Sequence, residues 1–103
     1  MLLALNKPYG VLSQFTPDHP EQRTLSEFGL PVNVYPLGRL DRDSEGLLLL
    51  SDQAGLNTKL LDPKNAHPRT YRAQVEGLVT EDALQKLRRG IVLDGTMTRP
   101  GEV

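Results

Sequence analysis

Residues 38–52 of this chain read GRLDRDSEGLLLLSD. Three acids and two arginines, with Asp41 between Arg39 and Arg42, stand directly before four consecutive leucines. An unbroken apolar run of this length is typical of a buried strand, so the charged loop before it must lie close to the core. A loop held in this way can fix a carboxylate in position, and the flanking arginines favour its ionised form. The pattern therefore predicts a nucleophilic or general-base aspartate at position 41.

Two other interpretations of this loop are open. The acids at positions 41, 43, 45 and 52 and the glycine at 46 match the spacing of a calcium-binding loop. Such a loop needs a helix on either side, whereas a proline precedes this one and the leucine run occupies its second half. The other interpretation is purely structural, with Asp41 as a turn residue and Arg39 paired to Asp43.

Composition limits the classes of protein that this chain can be. Its 103 residues suffice for one small domain with a modest core. The absence of cysteine excludes disulfides, thiolate chemistry and cysteine-based zinc sites. No apolar stretch approaches the roughly 20 residues that span a bilayer, and no signal peptide is present, so we expect a soluble cytoplasmic protein without a membrane partner. The net charge of −1 argues against a polycation that coats nucleic acid, although eight of the twelve basic residues are arginine and permit a local RNA-binding patch.

Before the acidic loop, the sequence predicts short strands separated by turns. Apolar runs at Leu2–Leu5 and Val11–Phe15 flank a Pro- and Gly-containing turn, which predicts a hairpin. Thr24–Phe28 is typical of one helical turn that ends at Gly29. Val32–Leu37 predicts a strand, and Pro36 makes it an edge or irregular one.

After the leucine run, helices and strands follow in mixed order. Residues 56–60 predict a helix that Ser51 or Asp52 caps and a proline at position 63 closes. Alternating apolar residues predict a half-buried strand over Thr70–Gly77. A second helix begins at Thr80, with acids in its first turn and basic residues in its last, and ends at Gly90. A strand at 91–93 and an Asp-Gly turn follow, and the whole order indicates an α+β fold.

Two further segments carry side chains with more than one possible role. Tyr71 lies on the predicted strand, where a tyrosine either packs into the core or offers an aromatic face to a nucleic-acid base. Asn6–Val11 places Lys7 and an aromatic residue in a rigid turn. The other interpretation of this segment is a plain loop whose proline and glycine only determine its shape. His19 and His67 have no second ligand at metal-binding spacing.

Three blocks occur in a fixed order, namely Asn6–Val11, Gly38–Asp52 and Arg69–Gly77, and together they resemble the RsuA family of pseudouridine synthases. The similarity is greatest to members that modify large-subunit ribosomal RNA. It implies an α+β catalytic fold with a mixed, mainly antiparallel sheet and flanking helices. It also implies that residues 1–103 form the N-terminal part of the catalytic domain, without a preceding RNA-binding domain and without a later arginine block. Ser44 stands where the family often has threonine.

The resemblance implies that Asp41 is the nucleophile of a uridine-to-pseudouridine isomerisation. By the same resemblance Arg39 helps to extrude and position the uridine, and Tyr71 stacks against the uracil. The partner is ribosomal RNA, and neither a metal nor an organic cofactor is needed. The alternative function is a non-catalytic RNA-binding fragment. A chain that lacks half of the uridine pocket is also expected to self-associate through unpaired strand edges.

Overall fold

The leucine run forms the central strand of a three-stranded antiparallel sheet in the computed structural model, which describes all residues from 1 to 103. The sheet has the order β1-β3-β2, and its strands are β1 (Leu2–Lys7), β2 (Tyr35–Pro36) and β3 (Gly46–Ser51). In the β1–β3 register Leu2 lies opposite Ser51, and Lys7 lies opposite Gly46. The residues that lead into β3 therefore lie beside the end of β1.

Only one face of β3 is fully buried. Leu48 and Leu50 join Val11, Leu25 and Val34 in the core, whereas the side chain of residue 47 is 68% exposed. Successive side chains of a strand point to opposite faces, so four adjacent leucines cannot all reach the same core. The expectation of a buried strand thus holds for alternate positions only.

The predicted hairpin between Leu2–Leu5 and Val11–Phe15 is wrong. All six residues of β1 pair with β3, and Val11 makes only an isolated parallel bridge to Arg23. The turn residues reverse the chain after β1, but they do not determine which strand pairs with β1. Pairing with the leucine-rich β3 adds more apolar side chains to the common core than a local hairpin would.

The remaining elements of the first compact unit, Met1–Arg69, are short. A 3-10 turn spans Leu25–Phe28 as predicted, and Gly29 ends it with φ of 60°. Helix α1 (Leu56–Leu61) begins at Gly55, so the predicted cap at Ser51 or Asp52 is wrong. Both of those side chains bind residue 1 instead, and a second 3-10 turn follows α1 at residues 63–65.

The second compact unit, Thr70–Val103, contains the best-predicted helix. Helix α2 (Glu81–Arg89) begins where the Thr80 hydroxyl accepts a hydrogen bond from the Ala83 amide, and it ends at Gly90. A hairpin of β4 (Val92–Leu93) and β5 (Thr96–Met97) follows. Its two-residue turn, Asp-Gly at 94–95, has both φ angles positive, as a type I′ turn requires.

The strand predicted over Thr70–Gly77 does not form. The segment has no strand partner, and Tyr71 and Val75 are both more than half exposed. An alternating pattern specifies which face a strand would bury, but the ladder itself requires a neighbouring strand. The antiparallel sheets and accompanying helices nevertheless confirm the α+β class. None of the helices is long and apolar enough to cross a bilayer.

Candidate active-site loop

The residues from Gly38 to Glu45, hereafter the Asp41 loop, connect β2 to β3. Gly38 has φ of 83°, and a Cβ atom there would lie 3.1 Å from a methyl group of Leu61. Both the backbone conformation and the close approach therefore favour glycine at the start of the loop. Within the loop the Ser44 amide donates to the Asp41 carbonyl at 3.0 Å, which closes a tight turn around residues 41–44. The backbone on the C-terminal side of Asp41 is thus held locally.

Neighbouring segments hold the same backbone from outside the loop. The Ser13 hydroxyl donates to the Leu40 carbonyl at 2.9 Å and accepts from the Leu40 amide at 3.0 Å. On the other side of Asp41, the Gly10 amide donates to the Arg42 carbonyl at 2.8 Å. Ser13 is buried, so its hydroxyl satisfies both polar groups of Leu40 away from water. Both residues adjacent to Asp41 are therefore fixed through their backbones.

Beneath the loop lies a fully buried lysine, Lys7, at the end of β1. Its ammonium group donates to the carbonyls of Val11 at 2.7 Å, Pro8 at 2.9 Å and Arg42 at 3.5 Å. Burial lowers the pKa of Lys7 below its ordinary value, and the carboxylates of the Asp41 loop act in the opposite direction. The sequence pointed to this lysine only as part of a turn. Its position at the last residue of an apolar strand was the available signal that the side chain is buried.

The side chains on the loop divide into paired and unpaired ones. Arg39 donates from Nη2 to the Gln14 side-chain oxygen at 2.7 Å, and Arg42 pairs with Asp43 at 3.2 Å. The structural interpretation is therefore wrong in pairing Arg39 with Asp43, although Asp41 does lie in a turn. Asp41 is exposed, and its carboxylate accepts no hydrogen bond, so an incoming group can reach it. The loop thus presents a carboxylate on a fixed backbone, and it also carries Arg39, two residues earlier, whose guanidinium Gln14 orients.

The calcium-loop interpretation does not fit the fold. Residues 46–51, which would be the second half of such a loop, form strand β3 instead. The carboxylates also do not converge, because no group of three or more acidic or histidine side chains is placed to hold a metal ion. The acidic residues therefore form part of a turn rather than a coordination shell.

Tyr71 lies in the second compact unit, whereas the Asp41 loop lies in the first. Its side chain is 61% exposed, which disfavours core packing within that unit and leaves the ring accessible. A shallow cavity in the first unit, at the start of α1, is lined by residues 53–56, 58, 59 and 65 and includes none of the predicted site residues. Arg39 and Asp41 lie on the same loop of the first unit, and Tyr71 lies in the second unit.

Comparison with known proteins identifies the class to which this fold and loop belong. Residues 1–99 match the model of a family described as RNA pseudouridylate synthase. A crystal structure of a pseudouridylate synthase superposes with a TM-score of 0.70 at 26% identity, over 96% of this chain and 44% of the other. This chain therefore belongs to the RNA pseudouridylate synthase family, which confirms the resemblance carried by the three sequence blocks.

Individual relatives are more specific. The chain is 55% identical to the ribosomal large subunit pseudouridine synthase E of Xanthomonas axonopodis pv. citri, over 100% of this chain and 55% of the relative. It is 39% identical to the ribosomal large subunit pseudouridine synthase B of Bacillus subtilis, over 95% of this chain and 41% of the relative. It is 35% identical to the dual-specificity RNA pseudouridine synthase RluF of Escherichia coli, over 100% of this chain and 35% of that protein. The chain spans about half the length, or less, of these relatives.

Proposed function

We propose that this chain supplies the nucleophile of an enzyme that isomerises a uridine of large-subunit ribosomal RNA to pseudouridine, and that Asp41 is that nucleophile. Family membership and the names of the relatives support the reaction and the RNA class. The observation that carries the residue assignment is the exposed Asp41 carboxylate on a backbone held at both neighbouring residues. Because the named relatives are about two to three times as long as this chain, the activity is proposed for a protein of their full length.

The reaction detaches the uracil from its ribose at one ring atom and reattaches it to the same ribose through another ring atom. The bond between N1 and C1′ breaks, the base rotates, and a bond between C5 and C1′ forms. C5 loses its proton and N1 gains one, so atoms and electrons balance without a redox partner, and the proposal includes no metal or organic cofactor. If the Asp41 carboxylate attacks the sugar, it displaces N1 from C1′ and is itself displaced by C5; if it attacks the base, it adds across the C5–C6 double bond and is eliminated afterwards. A fixed backbone favours this step because the entropy of positioning the nucleophile is already lost in the folded protein.

Two further residues have proposed roles toward the uridine. A base within structured RNA must leave its stack to reach a protein carboxylate, at a cost of a few kcal/mol. The proposal assigns the positioning of the extruded uridine to Arg39, which lies two residues from Asp41 and is oriented by Gln14. It assigns the stacking of the uracil to Tyr71, whose ring is exposed.

RNA binding in this proposal depends on phosphate contacts from arginine and lysine. Such contacts release counterions, so affinity should fall as salt rises. The net charge of the chain is only −1, and the basic side chains must therefore act as a local patch. Because ribosomal RNA is modified where ribosomes are assembled, the proposal places the reaction in the cytoplasm.

The decisive experiment compares two carboxylates on the same loop in the complete gene product. Asp41→Asn removes the nucleophile, and Asp43→Asn removes a neighbouring acid that is paired with Arg42. Release of tritium from RNA that carries 5-tritiated uridine reports the loss of the C5 proton. We expect Asp41→Asn to lower the rate by at least about 10³-fold, as loss of a nucleophile does, and Asp43→Asn to change it only a few-fold.

Two results would count against this assignment. Wild-type turnover by Asp41→Asn would show that another group is the nucleophile. A wild-type protein that binds ribosomal RNA but releases no tritium would favour the alternative, a non-catalytic RNA-binding protein.

A further inference from the structure

The shallow cavity beside helix α1 has a lining that suits a phosphate group. Its volume of about 340 Å³ lies at the lower end of the range that ligand pockets occupy. The polar side chains that line it are Gln53, Thr58, Lys59 and Asn65, and no carboxylate is among them. Lys59 is exposed, and its ammonium group has no hydrogen-bond or ion-pair partner in the protein. The cavity therefore offers an unpaired cation to an incoming anion.

Hydrogen bonds at the end of α1 hold the wall of this cavity. The Asn65 side chain donates from Nδ2 to the carbonyls of Thr58 at 3.3 Å and Lys59 at 2.9 Å, and so ties the 3-10 turn at 63–65 to the last turn of the helix. The Asp62 carboxylate accepts a hydrogen bond from the Lys64 amide at 3.0 Å within the same turn. These bonds fix the backbone of two lysines beside one another. Residues 53–65 are hereafter called the α1 corner.

The α1 corner also carries accessible positive charge. The Lys64 side chain is 84% exposed, and its carboxylate partner, Asp62, lies 3.9 Å away. No acid occurs between Asp62 and the end of the first unit at Arg69. By contrast, Arg23 and Arg42 of this unit are paired with acidic side chains at 3.1–3.2 Å. A chain with a net charge of −1 binds RNA only where its positive charge is local, as it is here.

Helix α1 packs against the start of the Asp41 loop. A Cβ atom at Gly38 would lie 3.1 Å from a methyl group of Leu61, the last residue of α1. Lys59 precedes Leu61 by two residues, which is about 3 Å along a helix axis. The α1 corner is therefore close enough to the loop to contact nucleotides that flank a uridine bound at Asp41.

We propose that the α1 corner binds a backbone phosphate of the ribosomal RNA next to the target uridine, with Lys59 and Lys64 as its cations and the cavity as the space for the attached ribose. This inference rests on the proposed function for the identity of the RNA and on the geometry of the corner for the site. Phosphate contacts position a nucleic acid without reading its sequence. The corner thus contributes affinity and register, and the chemistry stays with Asp41.

The test measures binding and turnover of a large-subunit ribosomal RNA transcript by the full-length protein. Lys59→Gln and Lys64→Gln each remove one charge and keep a polar side chain, and Lys59→Arg keeps the charge. Lys86→Gln is the matched control, because Lys86 is also an exposed helical lysine but is paired with Asp82 in the second unit. Filter binding at a series of KCl concentrations gives Kd and its dependence on salt. Tritium release gives kcat and KM.

We expect Lys59→Gln and Lys64→Gln each to raise Kd at least about threefold and to reduce the slope of log Kd against log salt by about 0.7–1, which is the loss of one phosphate contact. KM should rise in parallel while kcat stays within about twofold of the wild type, because the lost contact stabilises the bound ground state and the transition state equally. Lys59→Arg should bind as the wild type does. Lys86→Gln should change neither Kd nor its salt dependence.

Four outcomes would overturn the inference. One is a wild-type Kd and salt slope in both Lys59→Gln and Lys64→Gln. Another is an equal loss in Lys86→Gln, which would mean that any exposed lysine contributes. A third is a fall in kcat at unchanged KM, which would point to a disturbed Asp41 loop. The fourth is displacement of the RNA by inorganic phosphate beyond the effect of chloride at equal ionic strength, which would show that the corner takes a free anion.

The same data separate this inference from the proposed function. If the wild-type protein binds the transcript but forms no pseudouridine, the proposed function fails, and the salt slopes still decide whether the α1 corner binds phosphate. A wild-type protein that does not bind the transcript refutes both.

Discussion

Substitution of Ser13 by alanine should show how much the backbone of the Asp41 loop depends on the hydrogen bonds of one buried hydroxyl. The Ser13 hydroxyl makes two hydrogen bonds to Leu40, one in each direction, and Ser13 is only 3% exposed. Ser13→Ala removes both bonds at about 1 kcal/mol net each, and partial burial of the freed Leu40 groups adds to the loss. We therefore expect a loss of about 2–3 kcal/mol of unfolding free energy. In a chain of this size that corresponds to roughly 8–15 °C in Tm.

The same substitution should lower activity, because Leu40 precedes the proposed nucleophile. We expect kcat to fall about tenfold or more, since the Asp41 backbone is then held on one side only. Ser51→Ala is the matched control: Ser51 is also 3% exposed, and its hydroxyl also donates to one backbone group and accepts from another. Ser51 lies at the end of β3 that is far from the loop, so Ser51→Ala should lower the free energy of unfolding and leave kcat unchanged.

Circular dichroism measures the unfolding of each variant in urea. Release of tritium from RNA that carries 5-tritiated uridine measures its turnover. The reasoning is refuted if Ser13→Ala unfolds within about 0.5 kcal/mol of the wild type, a change typical of an ordinary surface site. It is equally refuted if Ser13→Ala and Ser51→Ala lose kcat to the same extent, because the loop would then have no special dependence on Ser13.

Three other predictions concern separate contacts. Arg39→Ala should lower turnover, and Gln14→Ala should reproduce part of that loss, because Gln14 orients the arginine at 2.7 Å. Additive losses in the double variant would show that the two residues act independently. Tyr71→Phe should keep most of its turnover and Tyr71→Leu should lose more, because only the former keeps the stacking ring; equal kinetics of the two would remove Tyr71 from the site. Hydrogen bonds from Arg88, and to a smaller extent from Gln85, lower the pKa of Glu81 below its ordinary value of 4.5. The ionised Glu81 should therefore stabilise α2 above pH 4.5, and this stabilisation should be lost as the pH falls below that value. Glu81→Gln should flatten the acid limb of the helix-unfolding curve measured by circular dichroism, and an unchanged limb would show that the pair does not contribute.

Local chemistry in the chain was enough to predict its local features. Helix α2 begins and ends where Thr80 and Gly90 predict, because a capping hydroxyl and a glycine stop act within one turn of the backbone. The 3-10 turn before Gly29 follows the same logic. The three family blocks were also recognisable without coordinates, because their specificity lies in residue identity and order. The placement of Arg39 and Asp41 on one loop needed no more than their spacing.

Features that depend on distant partners were not predictable in this way. Turn residues at 8–10 suggested a hairpin, but β1 pairs with a strand about forty residues away because that strand supplies the apolar face. The pattern at Thr70–Gly77 predicted a strand that has no neighbour to bond with. Pairing free energy comes from contacts between segments far apart in the chain, and a local window does not contain them.

The burial of Lys7 also depends on residues that are distant in the sequence. In the sequence it is one lysine of a turn, with a charge that favours the surface. Only the folded chain shows that the carbonyls of Pro8, Val11 and Arg42 converge on its ammonium beneath the acidic loop. Amino-acid order places Asp41 between two arginines ahead of the leucine run. The contacts of Gly10 and Ser13 with the loop hold the backbone on both sides of Asp41, and only the folded chain shows them, because these residues are neighbours only in space.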